Sequence, residues 1–193
     1  MASIGLRYAK YNQIDYTTKK YKTLTNSKVP TLGKLIDGKI TEEKNDASLF
    51  ADDALAENDT SFKSAILALT IADVQDETYA DVKGCTATTG EVTENIDDSV
   101  PELGYGHIVT KMINGEKKYK VEFLPRIKIR SITQDAKTKG ENIEFGTASI
   151  EAKVFALTEP INGLKVGDYK KIKTFDTLEN AITYLDGLLT PVA

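Results

Sequence analysis

The stretch Glu102–Ala156 reads ELGYGHIVTKMINGEKKYKVEFLPRIKIRSITQDAKTKGENIEFGTASIEAKVFA, and two strand patterns meet inside it at Asn114-Gly115. Asn-Gly is the pair that a two-residue type I′ turn needs, because both central residues take positive φ. Beyond the turn the chain alternates with period two: Tyr119, Val121, Phe123, Ile127 and Ile129 fall on one face, and Lys118, Lys120, Glu122, Arg126, Lys128 and Arg130 on the other. This predicts a half-buried antiparallel hairpin. A third strand pattern follows the polar loop from Gln134 to Asn142. Ile143 and Phe145 share one parity, whereas Ala148, Ile150, Ala152, Val154 and Ala156 share the other, so a β-bulge is expected across Gly146.

Upstream, Phe62–Ala72 is a mostly apolar run that reads as a central strand, with a helix as the competing assignment because Ala and Leu are frequent. Asp73 then opens a short helix, with Asp76 at its third position and Gly84 as the positive-φ stop after Val82-Lys83. From Val29 to Glu43, Leu32, Ile36 and Ile40 lie on one side of a strand bent at a glycine, with Gly33 and Gly38 as the candidates. Residues 46–61 form a long acidic excursion containing short extended pieces, and loops of that length are functional or disordered. The segment from Cys85 to Pro101 is Thr-rich and acidic and reads as a weak peripheral strand and loop. Downstream, Asn162-Gly163 and Val166-Gly167-Asp168 mark turns. The chain closes with a helix over 176–187, in which Asp176 and Glu179 make a capping box, Leu178, Ala181, Ile182 and Leu185 form the stripe, and Gly187 ends it. The expected fold is mainly β, a sandwich or barrel-like pair of sheets over residues 29–193 with a short connecting helix and a C-terminal helix packed on the sheets.

Residues 1–28 hold Tyr8, Tyr11, Tyr16 and Tyr21 among Thr, Lys and Asn, without a sustained period after Leu6. They read as an N-terminal arm whose aromatics suit contact with another subunit rather than burial within their own. Charge is segregated along the chain: the arm is basic, the middle from Glu42 to Glu102 is acidic, and the hairpin is basic, although the net charge is only −4. Complementary patches of this kind favour head-to-tail association between copies.

Enzymatic chemistry finds little to work with. One His and one Cys among 193 residues exclude the usual imidazole and thiolate metal cages and an internal disulfide. His107, at a strand start, reads as solvated or hydrogen-bonded rather than catalytic, since acid-base work needs partners in reach. Gly104-x-Gly106 lacks the third glycine and the following helix of a phosphate loop. Asp52, Asp53, Glu57 and Asp59 lack the calcium-loop spacing and read as a solvated acidic loop. The basic stripe raises nucleic-acid binding, but its aromatics sit on the opposite face and offer no stacking platform. No apolar run approaches a membrane span and Met1-Ala2-Ser3 opens no signal peptide, so cytoplasmic synthesis without membrane insertion is expected. No enzyme activity, cofactor or metal is expected.

Several segments, in order along nearly the whole chain, resemble the major tail proteins of long-tailed, non-contractile phages of Gram-positive bacteria. They are Ile4-Gly5-Leu6-x-Tyr8-Ala9, the loop Leu49–Glu57, Pro101–Gly106, Lys137–Phe145 and Thr174–Thr177. The resemblance implies a virion tail-tube subunit that forms hexameric rings, stacks around a tape-measure protein, contacts tail-end proteins and passes DNA. Under it, hairpin strands of neighbouring subunits join into an inner barrel, placing Tyr105, His107, Lys118, Lys120, Arg126, Lys128 and Arg130 at intra-ring contacts or the lumen. Ring stacking would use the arm and the 46–61 loop through Ile4, Leu6, Tyr8, Tyr11, Leu49, Phe50, Asp52, Asp53 and Leu55. The Cys85–Asp98 segment matches the family least. Because a densely basic wall would hold phosphates, the stripe's cations are expected to pair with acids of the adjacent subunit. Two alternatives stand beside this reading: a head-tail connector or capsid-decorating protein, and a ligand-binding β-barrel enzyme.

Overall fold

The computed structural model describes residues 2–51, 54–88, 90–136 and 146–192. In chain order its strands and helices are β1 (Ala2–Asp15), β2 (Lys20–Tyr21), β3 (Thr31–Gly33), β4 (Leu35–Lys44), β5 (Ala47–Ala51), β6 (Ala54–Asp59), β7 (Phe62–Ile71), α1 (Asp76–Lys83), β8 (Thr86–Thr88), β9 (Glu91–Thr93), β10 (Glu102–Ile113), β11 (Glu116–Gln134), β12 (Ala148–Val154), β13 (Lys171–Phe175) and α2 (Leu178–Leu189). The protein is mainly β with one short and one C-terminal helix, as the patterning predicts. β10 and β11 make the expected hairpin: Ile113 stands opposite Glu116, and Asn114 and Gly115 take φ of 51° and 83°.

Nine strands form one antiparallel sheet in the order β2-β1-β10-β11-β12-β7-β4, with β3 also on β1 and β13 also on β11. The sheet curls until its ends meet, where a Cβ on Gly38 of β4 would lie 3.0 Å from the Leu6 side chain of β1. Inside this curl lies one apolar cluster, with Ala9, Tyr11, Leu67, Ile71, Tyr105, Leu124, Ile127, Ile150 and Val154 among its members and Val82 of α1 at its margin. A second cluster lies on the outer face, where Ala181, Leu185 and Leu189 of α2 cover Ile14, Tyr21, Ile108, Val121 and Phe123.

The two clusters correct the reading of β11. Val121 and Phe123 belong to the outer cluster, but Leu124, Ile127 and Ile129 belong to the inner one. Leu103 pairs with Ile127 and Tyr105 with Leu124, so Gly104 faces both Pro125 and Arg126. This bulge shifts the pleat by one residue, so the side chains from Arg126 to Ile129 change face, until a second register shift between Ile129 and Ser131 turns the alternation back. Pro125, which has no N–H for a ladder, marks the place. The basic row is therefore split, with Lys118 and Lys120 on one face and Arg126, Lys128 and Arg130 on the other.

The N-terminal arm is also corrected. β1 is a 14-residue strand paired with β10 along its length, and Ala9, Tyr11, Ile14 and Tyr21 are core residues. Its tyrosines can be buried because their hydroxyls have partners: Tyr11 donates to Asp81 at 2.9 Å and Tyr21 to the Pro125 carbonyl at 2.9 Å. Residues 46–61 contain the paired strands β5 and β6, which continue the β4–β7 ladder through an Asn45 N–H to Ser61 O bond. The bend in the Val29–Glu43 run falls at Gly33, where a Cβ would meet the Asp73 carbonyl at 2.8 Å. A further register shift between Leu35 and Asp37 leaves Ile36 without a ladder partner, and it is 56% exposed instead of sharing a face with buried Leu32.

α1 starts at Asp76 rather than after Asp73, and stops at Gly84 (φ 74°) as expected. α2 is capped by Thr177, whose hydroxyl accepts from the Asn180 N–H, while Asp176 pairs with Lys118 at 2.8 Å. The helix runs through Gly187 to Leu189. Its last carbonyls are met from outside: the Asn162 amide donates to Leu188 O (3.1 Å) and Thr190 O (2.9 Å). This satisfies groups that a helix end otherwise leaves orphaned. Ile143 and Phe145, which carried the bulge expected at Gly146, lie outside the described residues.

Candidate assembly surface

The half of the sheet nearest the Asn-Gly turn has four strands in the order β1-β10-β11-β13. β13 pairs with β11 over Tyr119–Phe123 and has no second partner among the described residues. At the other side, the outer edge of β1 from Ser3 to Arg7 is likewise unpaired among the described residues, since β3 and β2 join β1 only from Ala9 onward. Neither outer edge has a backbone ladder partner among the described residues, although β4 packs against β1 at Leu6, and edges without a ladder template pairing with another strand. Large apolar side chains stand along them: Ile4 is 50% exposed on β1 and Ile172 is 48% exposed on β13. Tyr8, at a φ of 58° where the β1 register shifts, is also exposed.

α2 packs against this four-stranded sheet. The contact requires Gly106, because a Cβ there would sit 2.4 Å from Leu185 Cδ1. Gly104 is required in the same way by the Tyr21 ring, 2.5 Å from its missing Cβ. The Gly104-x-Gly106 pair thus serves close packing on the sheet.

The cations of β11 are largely satisfied within the chain, contrary to the expectation of partners on a neighbouring subunit. Lys118 contacts Glu116 and Asp176, each at 2.8 Å, and Lys120 contacts Glu122. Arg126 makes a bidentate pair with Glu102 at 2.6 and 2.8 Å while lying over the Phe155 ring. Arg130 meets Glu151 at 3.0 Å. Burial alone would raise the Glu102 carboxyl, but hydrogen bonds from Arg126 and Tyr16 hold it below the usual range. Lys128, exposed and opposite Glu102 in register, has no ion pair among the described residues. Alternating charges across adjacent strands, rather than charges pooled by segment, decide the local field.

His107 is 4% exposed, not solvated. Its Nε2 lies 3.8 Å from Glu122, its ring leans on Tyr105, and its Nδ1 and the Tyr105 hydroxyl have no hydrogen-bond partner among the described residues. Burial pushes its pKa down to about 4, against the opposing pull of Glu122. Tyr11 and Tyr105 are buried in their own subunit. Leu6 and Tyr8 line a cleft of about 540 Å³ with Thr31, Gly33, Lys34 and Leu35. Leu49, Phe50 and Leu55 lie in β5 and β6, whereas Asp52 and Asp53 fall outside the described residues. β13 and its Ile172 were not anticipated from sequence, because KIKTF offers only one alternation of charge and apolar character between two turn-rich stretches.

No protein-family model and no curated protein matches the chain. Among solved structures it is similar to the SPP1 tail tube, a hybrid structure from solid-state NMR and cryo-electron microscopy. The identity is 12%, the match covers 94% of this chain and 86% of that one, and the TM-score is 0.46.

Proposed function

We propose that this chain is a structural subunit of a phage tail tube, closing into hexameric rings by joining the β13 edge of one copy to the β1 edge of the next. The observation that carries this reading is the four-stranded antiparallel sheet left open on both sides and packed from behind by α2. A sheet with two free edges that differ from each other makes a heterologous contact, and repeating such a contact closes a ring when the rotation permits. Closure also removes the edges, the usual hazard of exposed strands. The segment resemblance supplies the identity of the assembly: rings stacked around a tape-measure protein, bounded by tail-end proteins, located in the virion tail, and passing DNA at ejection. Internal pairing of Lys118, Lys120, Arg126 and Arg130 suits such a conduit, because it weakens the field available to hold phosphates.

Negative-stain microscopy of the purified protein at increasing concentration tests the proposal. Rings or tubes are expected, and a monodisperse monomer at every concentration would overturn it. Isolated rings that never elongate would instead favour a head-tail connector, the second structural reading.

A further inference from the structure

The tripeptide Ile-Asn-Gly occurs twice, at 113–115 and 161–163, and the two copies have nearly the same backbone. Asn114 and Gly115 take φ of 51° and 83°, and Asn162 and Gly163 take 50° and 78°. Their side chains differ completely. Asn162 is 9% exposed, donates from Nδ2 to the carbonyls of Leu188 and Thr190, and accepts the Val192 N–H on Oδ1 at 2.8 Å. Asn114 is exposed and its side chain has no hydrogen-bond partner among the described residues; the space around the following glycine is open at both sites, so the difference lies in the asparagine side chains alone.

We infer that Asn114 is a site of spontaneous deamidation in the folded protein and that Asn162, in the same local sequence, is protected. In this reaction the Gly115 backbone nitrogen attacks Cγ of Asn114. An N–Cγ bond forms, the Cγ–Nδ2 bond breaks, and ammonia leaves carrying the backbone amide proton. Water then opens the resulting five-membered imide at one of its two carbonyls, giving aspartate or isoaspartate with no change of oxidation state. Attack needs a side chain free to bring Cγ over the next nitrogen, and room for water. Asn114 has both, whereas Asn162 is held at both ends of its amide and must wait for a local opening that frees the α2 terminus.

The product matters because of where it forms. Either isomer adds a negative charge at the hairpin tip, beside Glu116 and within the reach of the Lys118 network. Isoaspartate also routes the backbone through the side chain, inserting one extra carbon into a two-residue turn whose length sets Ile113 opposite Glu116.

Peptide mapping by mass spectrometry of the intact chain, aged in mildly alkaline buffer, tests the inference. The mass change of amide-to-acid conversion is expected on the Asn114 peptide at least ~10-fold faster than on the Asn162 peptide, the ratio reflecting the opening equilibrium at Asn162. In denaturant the two sites should converge, because their neighbours are matched. Equal rates in the folded protein, earlier conversion at Asn162, or an Asn114 peptide that stays unmodified while the denatured chain converts at both sites would each overturn it. None of these outcomes depends on the tail-tube reading.

Discussion

Replacing His107 with glutamine should remove a specific part of the protein's acid sensitivity. In the fold, burial holds this imidazole neutral, with a pKa of about 4 against an ordinary value of 6.5. The charged form is the one disfavoured, so the unfolded chain binds the proton first. Stability is therefore complete above the unfolded pKa and is lost as pH falls from about 6.5 towards 4. At about pH 4.5 the linkage integral for one such group is roughly 2–3 kcal/mol, with a limiting slope of about 1.4 kcal/mol per pH unit. The groups facing His107 are Glu122 and Lys120 on β11 and Lys170 before β13, with Tyr105 on its own strand. Glu122 offsets part of the cost and the two lysines add to it. Because the carboxylates also titrate at the lower end, the quantity to measure is the difference between wild type and His107→Gln in urea denaturation at a series of pH values. Since this is the chain's one histidine, no other imidazole contributes. The wild type should lose about 2–3 kcal/mol more than the variant between neutral pH and about pH 4.5. Parallel pH profiles would refute this account, and so would a wild type that is the less acid-sensitive of the two.

Four further outcomes are expected. Gly106→Ala drives a methyl into Leu185 and should cost about 1–3 kcal/mol of stability in thermal or urea unfolding. Arg126→Met leaves Glu102 partly buried without its partner and should cost about 2 kcal/mol at neutral pH. That cost should shrink as pH falls through the carboxylate range, because the depressed Glu102 contributes stability only while it is ionised. Asn162→Asp sets a carboxylate against the Leu188 and Thr190 carbonyls and should lower stability by about 2–3 kcal/mol, read as a drop in Tm. Ile172→Lys, at an exposed edge position, should change subunit stability by less than about 0.5 kcal/mol while reducing ring formation under the microscope.

Much of the fold was legible where one local rule governs. The Asn114-Gly115 turn, the period-two strands beside it, the central strand from Phe62, the Gly84 stop and the C-terminal helix each follow from a short stretch of sequence. The features that escaped required knowing what lies opposite. The face switch in β11 was hidden because Ile127 and Ile129 keep the same odd numbering as Val121 and Phe123. Only Pro125 and the extra apolar Leu124 betray the inserted residue. The N-terminal segment looked too polar for a core because its burial is carried by tyrosines, whose hydroxyls find Asp81 and the Pro125 carbonyl far along the chain. Charge totals by segment indicated acidic and basic regions, yet the actual partners of Arg126 and Arg130 sit diagonally on the adjacent strands. His107 was expected at a strand start, but β10 begins at Glu102 and places it in mid-strand, where burial depends on what packs over that face. At the candidate surface the hairpin was foreseen but its outer neighbour β13 was not, and without β13 neither the four-stranded count nor the second open edge can be stated.

The 19 residues of β11 serve β10 on one side and both β12 and β13 on the other, which gives the subunit a mechanical grain. A pull along the strand direction loads the ladders in shear, so their hydrogen bonds must yield together. A pull across the sheet peels them one at a time, and the five-residue β13 detaches first. A hollow cylinder built from such units with its strands near the axis would resist stretching far better than splitting, and its weakest line would run along the seam where each short β13 meets its neighbour.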